Sequence, residues 1–175
     1  MVYSEQFTLA FYLQTLTKVL GQPRKFFSEL SPDMGLKKPL GFLVVSSLFF
    51  TGASLVNDMP EQPIVLGAIF FVNAMGMAFS AAGLGYVVMV IIMGKRVTFI
   101  RFFSLYAFSS GVTLLGSWVP LFFWITEPWK WWLIGTGMIK NCDFSLTQVF
   151  VIIGMSIVTM VLFFWTVLPL ITCIT

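Results

Sequence analysis

Glu127 and Lys130 are the one acid–base pair in this chain lying in a stretch apolar enough to enter a membrane. Three residues apart on a helix they can meet as an ion pair, and an ionisable group at membrane depth is a candidate for ion or proton handling. Trp118, Trp124, Trp129, Trp131 and Trp132 crowd the same segment, as in an aromatic belt at a membrane–water interface. Two readings stand: an outer-interface polar and aromatic cluster that anchors the chain, or a charge site facing a cavity. Little else offers reactivity. The sequence has no histidine, which removes histidine-ligated haem, histidine metal sites and the Ser-His-Asp triad. Cys142 and Cys173 form no CxxC pair, and the ten methionines are scattered without the clustering that soft metals need. Gly83 and Gly85 lie inside an apolar run, so they form no phosphate loop. No catalytic residue, cofactor or metal is expected.

A second pattern concerns packing. Ala74, Ala78 and Ala82 recur every fourth residue with Gly85 close to the same face. Small residues at this spacing let another helix approach closely, whether from the same chain or from a partner. Asn73 and the Ser and Thr of the apolar runs can hydrogen-bond across helices or to their own carbonyls.

The elements that must position these residues follow from composition. The 175 residues are 58% hydrophobic and 10% charged, with twenty Phe and six Trp, and mean hydropathy is +0.95. Seventeen charges cannot cover a soluble surface of this size. An all-α integral membrane protein follows, and the dispersed basic residues give no nucleic-acid signal.

Residues 7–20 are apolar but interrupted, with Leu9, Leu13, Leu16 and Leu20 on one helical face. About 21 Å of helix is too short to span, so an amphipathic helix at the interface, or one packed on the chain's own spans, is expected. Residues 1–39 form this N-terminal cytoplasmic and interfacial segment, within which Ser31-Pro32 reads as a helix start. Residues 40–175 form a membrane domain of five transmembrane helices, at about 40–57, 64–93, 99–125, 128–140 and 147–174. The thirty-residue second run must tilt, bend near Gly83 and Gly85, or protrude, and Gly94 suits its stop. The fourth element has two readings. The preferred break falls at Glu127-Pro128 and leaves a short helix; the alternative turn, at Gly116-Ser-Trp-Val-Pro120, makes that helix about twenty residues long. Ser145 and Gln148 match a capping box opening the fifth.

Charge sets the orientation. Lys18, Arg24, Lys25, Lys37, Lys38, Lys95, Arg96, Arg101 and Lys140 fall on one side of this topology, and Lys130 alone falls on the other. Basic loops stay inside, so the N-terminus is expected in the cytoplasm and the C-terminus outside, in a bacterial cytoplasmic (inner) membrane. Adjacent aromatic pairs, such as Phe49-Phe50, Phe70-Phe71, Phe102-Phe103 and Phe163-Phe164, diverge by about 100° on a helix. One of each pair is expected to face lipid or a partner.

Residues 19–43 resemble the opening of the Yip (Ypt/Rab-interacting protein) family of polytopic membrane proteins. Its Pro-x-x-Phe-Phe-like element reads Pro23, Phe26 and Phe27 here, and its Pro-Leu start to the first of five spans reads Pro39 and Leu40. Arg101 to Ala107 resembles the start of that family's third span, and Trp132 to Gln148 its fourth helix and the cap of its fifth. The eukaryotic Asp-Leu-Tyr-Gly-Pro motif is missing and the region from Tyr106 to Phe144 is short, so a short prokaryotic member is the best match. Rab-GTPase binding is carried over to no residue. The resemblance implies a non-catalytic scaffold or interaction protein that contacts the lipid bilayer and associates with other membrane protein subunits or as a homo-oligomer. Two alternatives stay open: an accessory structural subunit of a larger respiratory or photosynthetic complex, and a small transporter or channel.

Overall fold

In the computed structural model the described residues, 7–32, 34–94 and 97–174, are all helical or loop. The helices are α1 (Leu9–Gly21), α2 (Pro23–Glu29), α3 (Lys37–Asp58), α4 (Pro63–Met93), α5 (Phe99–Ser117), α6 (Phe123–Cys142) and α7 (Leu146–Ile174), with a 3-10 turn at Pro120–Phe122 before α6. Lys37–Asn57, Pro63–Met93 and Phe99–Ser117 are long and apolar enough to cross a membrane, and Leu146–Leu162 is a shorter apolar stretch. Lys95 and Arg96, two of the charges used to orient the chain, lie outside the described residues. So do the side chains of Phe163, Phe164, Pro169 and Cys173.

Local chemistry sets most boundaries. Thr8 and Thr98 cap α1 and α5 by accepting from the amides of Phe11 and Arg101. Pro23 and Pro63 open α2 and α4 at the position where a missing N–H costs nothing. Gly94, at φ +69°, ends α4, which runs unbroken through Gly83 and Gly85. Ser145 and Gln148 exchange the two bonds of a capping box at 3.0 and 3.3 Å. Ser31-Pro32 does not start a helix. It forms a turn, closed by the Met34 amide on the Ser31 carbonyl, and α3 begins at Lys37.

The break expected at Glu127-Pro128 falls earlier. Pro120 has no N–H to donate to Gly116 and disfavours helix at Val119, so α5 stops at Ser117. The Val119 amide takes the Gly116 carbonyl instead, at 3.2 Å. Ser117 and Thr126 hydroxyls, 3.2 Å apart, tie the two helix ends across the turn. Pro128 then sits in the second turn of α6, a helix of 20 residues that replaces the expected short element at 128–140.

The centre of the bundle is α5. Every residue from Phe102 to Thr113 is buried, because α3, α4, α6 and the N-terminal helices all pack against or around it. The expectation that one ring of each Phe pair points outward therefore fails at Phe102-Phe103, where both are fully buried, and holds at Phe49, which is exposed. Among apolar lipid tails, close packing must supply the cohesion between helices. Glycines make room for it: Gly111 receives the Phe42 ring, Gly137 receives Phe27 and Leu105, and Gly85 lies under Tyr106. Tyr12, Phe26, Phe42 and Phe108 join into one aromatic cluster at centroid distances of 4.8–5.4 Å. This cluster fastens α1 and α2 to α3 and α5.

Helix α1 has two working faces. Tyr12, Thr15 and Val19 are buried on the bundle, and the Tyr12 hydroxyl meets Ser46 of α3 at 3.1 Å. Leu9, Leu13 and Leu20 stay exposed on the other side, while Leu16 packs on the core.

Candidate functional site

The expected small-residue stripe faces inward. Ala74, Ala78, Ala82 and Gly85 are all buried, and Gly85 lies so close under α5 that an added methyl would sit 2.5 Å from the Tyr106 hydroxyl oxygen.

Glu127 and Lys130, one helical turn apart on α6, are joined at 2.6 Å and are both partly buried. The Lys130 ammonium also lies 5.5 Å from the Trp131 ring centre, within reach of a cation–π contact. The pair borders a cavity of about 200 Å³ whose polar lining is completed by Asn73 of α4 and by Tyr106, Ser110, Thr113 and Ser117 of α5. The cavity descends from Ser117 to Tyr106, about 16 Å along α5. The Tyr106 hydroxyl faces Ser156 of α7 without forming a well-aligned hydrogen bond. Phe102, Phe103 and Leu105, which precede Tyr106 on α5, are fully buried. The tryptophans divide between surface and bundle: Trp118, Trp124 and Trp132 are exposed, whereas Trp129 and Trp131 pack against the core. The segment thus carries an exposed aromatic rim at Trp118, Trp124 and Trp132 and, at Glu127 and Lys130, a charge pair bordering a cavity.

The strongest polar node lies at the opposite end, where the sequence gives little sign of it. Asn141, on the last turn of α6, donates to the carbonyls of Phe27 (3.2 Å) and Leu30 (2.8 Å), the C-terminal acceptors of α2. Its own side-chain oxygen accepts from Arg101 Nε at 2.7 Å, and the Arg101 guanidinium also donates to the Asn141 carbonyl. Three helices are clamped by one buried amide and one arginine. Cys142, the last residue of α6 and beyond the expected 128–140 span, is buried beside this node. Among the described residues no group of three Cys, Asp or Glu side chains comes together as a metal site would require.

A scan against family models matches the Yip1 domain over residues 17–168. The chain belongs to the Yip1 family. The match runs from α1 into α7, so it takes in the N-terminal helices and the bundle alike. This is a family of non-enzymatic membrane proteins. No curated protein and no solved structure matches the chain. Within the Yip1 domain, Pro23 opens α2, Phe26 and Phe27 are the rings that α2 buries, and Arg101 anchors the clamp. The motif residues that carried the resemblance are therefore mainly packing and docking residues.

Proposed function

We propose that this protein is a non-catalytic membrane scaffold of the Yip1 type, built on five transmembrane helices and working in association with other membrane proteins. The five spans are α3 to α7, with α1 lying in the cytoplasmic interface, the N-terminus in the cytoplasm of a bacterial cell and the C-terminus outside. α6 supports this count, because 20 residues rise about 30 Å, the thickness of the hydrocarbon core.

The observation that carries the scaffold reading is how the polar groups are used. Arg101, Asn141 and Tyr12 hold helices to one another, and Ser104, Thr113 and Ser156 bond back to helix carbonyls. The outward faces of α4 and α7 are left apolar. Purification in mild detergent, with the mass of the assembly measured, is the test. A stoichiometric complex with larger membrane proteins supports an adaptor or accessory subunit, and a homo-oligomer supports a self-assembling scaffold. A monomer surrounded by lipid on all sides overturns the association.

A second reading, a small transporter or channel, is favoured by the cavity under Glu127 and Lys130. Proton or solute flux into proteoliposomes that Glu127→Gln abolishes would decide for it.

A further inference from the structure

A larger slot lies between α6 and α7, where α7 leans on α4 and touches α6 only lightly. It has a volume of about 550 Å³, with walls that include Trp132 and Ile139 of α6 and Phe150 and Ile153 of α7. At one end it is lined by Arg24 of α2 and Lys140 of α6, both exposed, and no carboxylate lines it. Lys25 beside Arg24 faces Glu29 at 4.0 Å instead. From Lys140 to Trp132 the slot follows α6 for about 12 Å, most of one leaflet's share of a 30 Å hydrocarbon core.

We propose that this slot binds an anionic phospholipid, with its phosphate held between Arg24 and Lys140 and the upper part of an acyl chain lying between α6 and α7. Charge complementarity selects this occupant over a neutral lipid: two cations converge at the mouth of an apolar slot with no counter-charge in its lining. An apolar helix from a partner would fill the walls but leave both cations unmatched. The site uses only this chain's own helices, so it stands independently of any partner protein.

Native mass spectrometry of the intact protein from micelles doped with phosphatidylglycerol or phosphatidylcholine tests the site. Wild-type protein retains phosphatidylglycerol in preference to phosphatidylcholine. The Arg24→Gln, Lys140→Gln double variant loses about thirtyfold of that affinity, about 1 kcal/mol per basic residue near a lipid surface, while the swap Arg24→Lys with Lys140→Arg keeps it. The charge-matched control Lys18→Gln, Lys25→Gln also keeps it, and thermal melts of each variant verify that the bundle is intact. Equal retention of the two lipids, or equal loss in the control, overturns the proposal. So does displacement of phosphatidylglycerol by millimolar inorganic phosphate, which would make this a free-anion site.

Discussion

Replacing Asn141 with leucine removes the clamp while keeping its volume nearly constant. Three hydrogen bonds disappear, two to the α2 carbonyls and one from the Arg101 guanidinium. A neutral bond is worth about 1 kcal/mol net and one to a charged group about 1.5–3 kcal/mol. Water recovers part of the arginine's share because that side chain is only half-buried. The expected loss is about 3 kcal/mol, measured by equilibrium unfolding in mixed micelles with tryptophan fluorescence as the signal. The damage should also be local, since the freed carbonyls terminate α2. Trypsin should therefore cut at Arg24 and Lys25 faster than in wild type, before the bundle itself opens. Arg101→Met, alone and combined with Asn141→Leu, should show a coupling of about 1–2 kcal/mol. Additivity within about 0.5 kcal/mol, or unchanged cleavage at α2, would refute the clamp as the tie between the N-terminal helices and the bundle.

Gly111→Ala places a methyl 2.7 Å from two atoms of the Phe42 ring, which Tyr12 and Phe108 hold in place. It should cost about 1–3 kcal/mol in the same unfolding assay, whereas Gly76→Ala, with nothing within 4 Å, should cost nothing measurable. Cys142, buried beside the clamp, should react slowly with maleimide at pH 7 in a Cys173→Ser background. Labelling at pH 7 as fast as in SDS-unfolded protein would contradict the buried position. Glu61→Cys, in an otherwise cysteine-free chain, should be labelled from outside in intact cells; labelling only after permeabilisation reverses the orientation.

The helices bounded by charge or by a strong stop were legible in the sequence. Runs expected at 40–57, 64–93 and 147–174 lie within a few residues of α3, α4 and α7, because Asp58, Gly94 and Ser145 mark their limits chemically. The boundary between α5 and α6 was harder. Pro120 and Pro128 both look like helix starts, and the apolar run gives no charge to choose between them. The choice is made by contacts across the turn, Ser117 with Thr126 and Val119 with Gly116, which a periodicity cannot reveal. The charge pair was visible as a spacing, but the cavity it borders was not, since its other polar walls come from α4 and α5. Asn141 carries no mark in the sequence, because an asparagine near a helix end is ordinary and its partners at Phe27 and Leu30 are more than a hundred positions away.

The burial of α5 on every side has a consequence for the order in which the chain is assembled. α3 and α4 leave the ribosome before α5, so two of its neighbours are already in the membrane when it arrives. Its remaining cover comes from α6 and from the helices that precede α3 in the chain. Arg101 and the serines of α5 thus pass through a stage with one flank uncovered. α1 and α2 precede the bundle in the chain, yet Asn141, which donates to the α2 carbonyls, is made only after α3, α4 and α5. A nascent chain halted before α6 would hold α2 on α5 by its Phe26 ring on Phe108, with the Phe27 and Leu30 carbonyls still lacking their Asn141 donor.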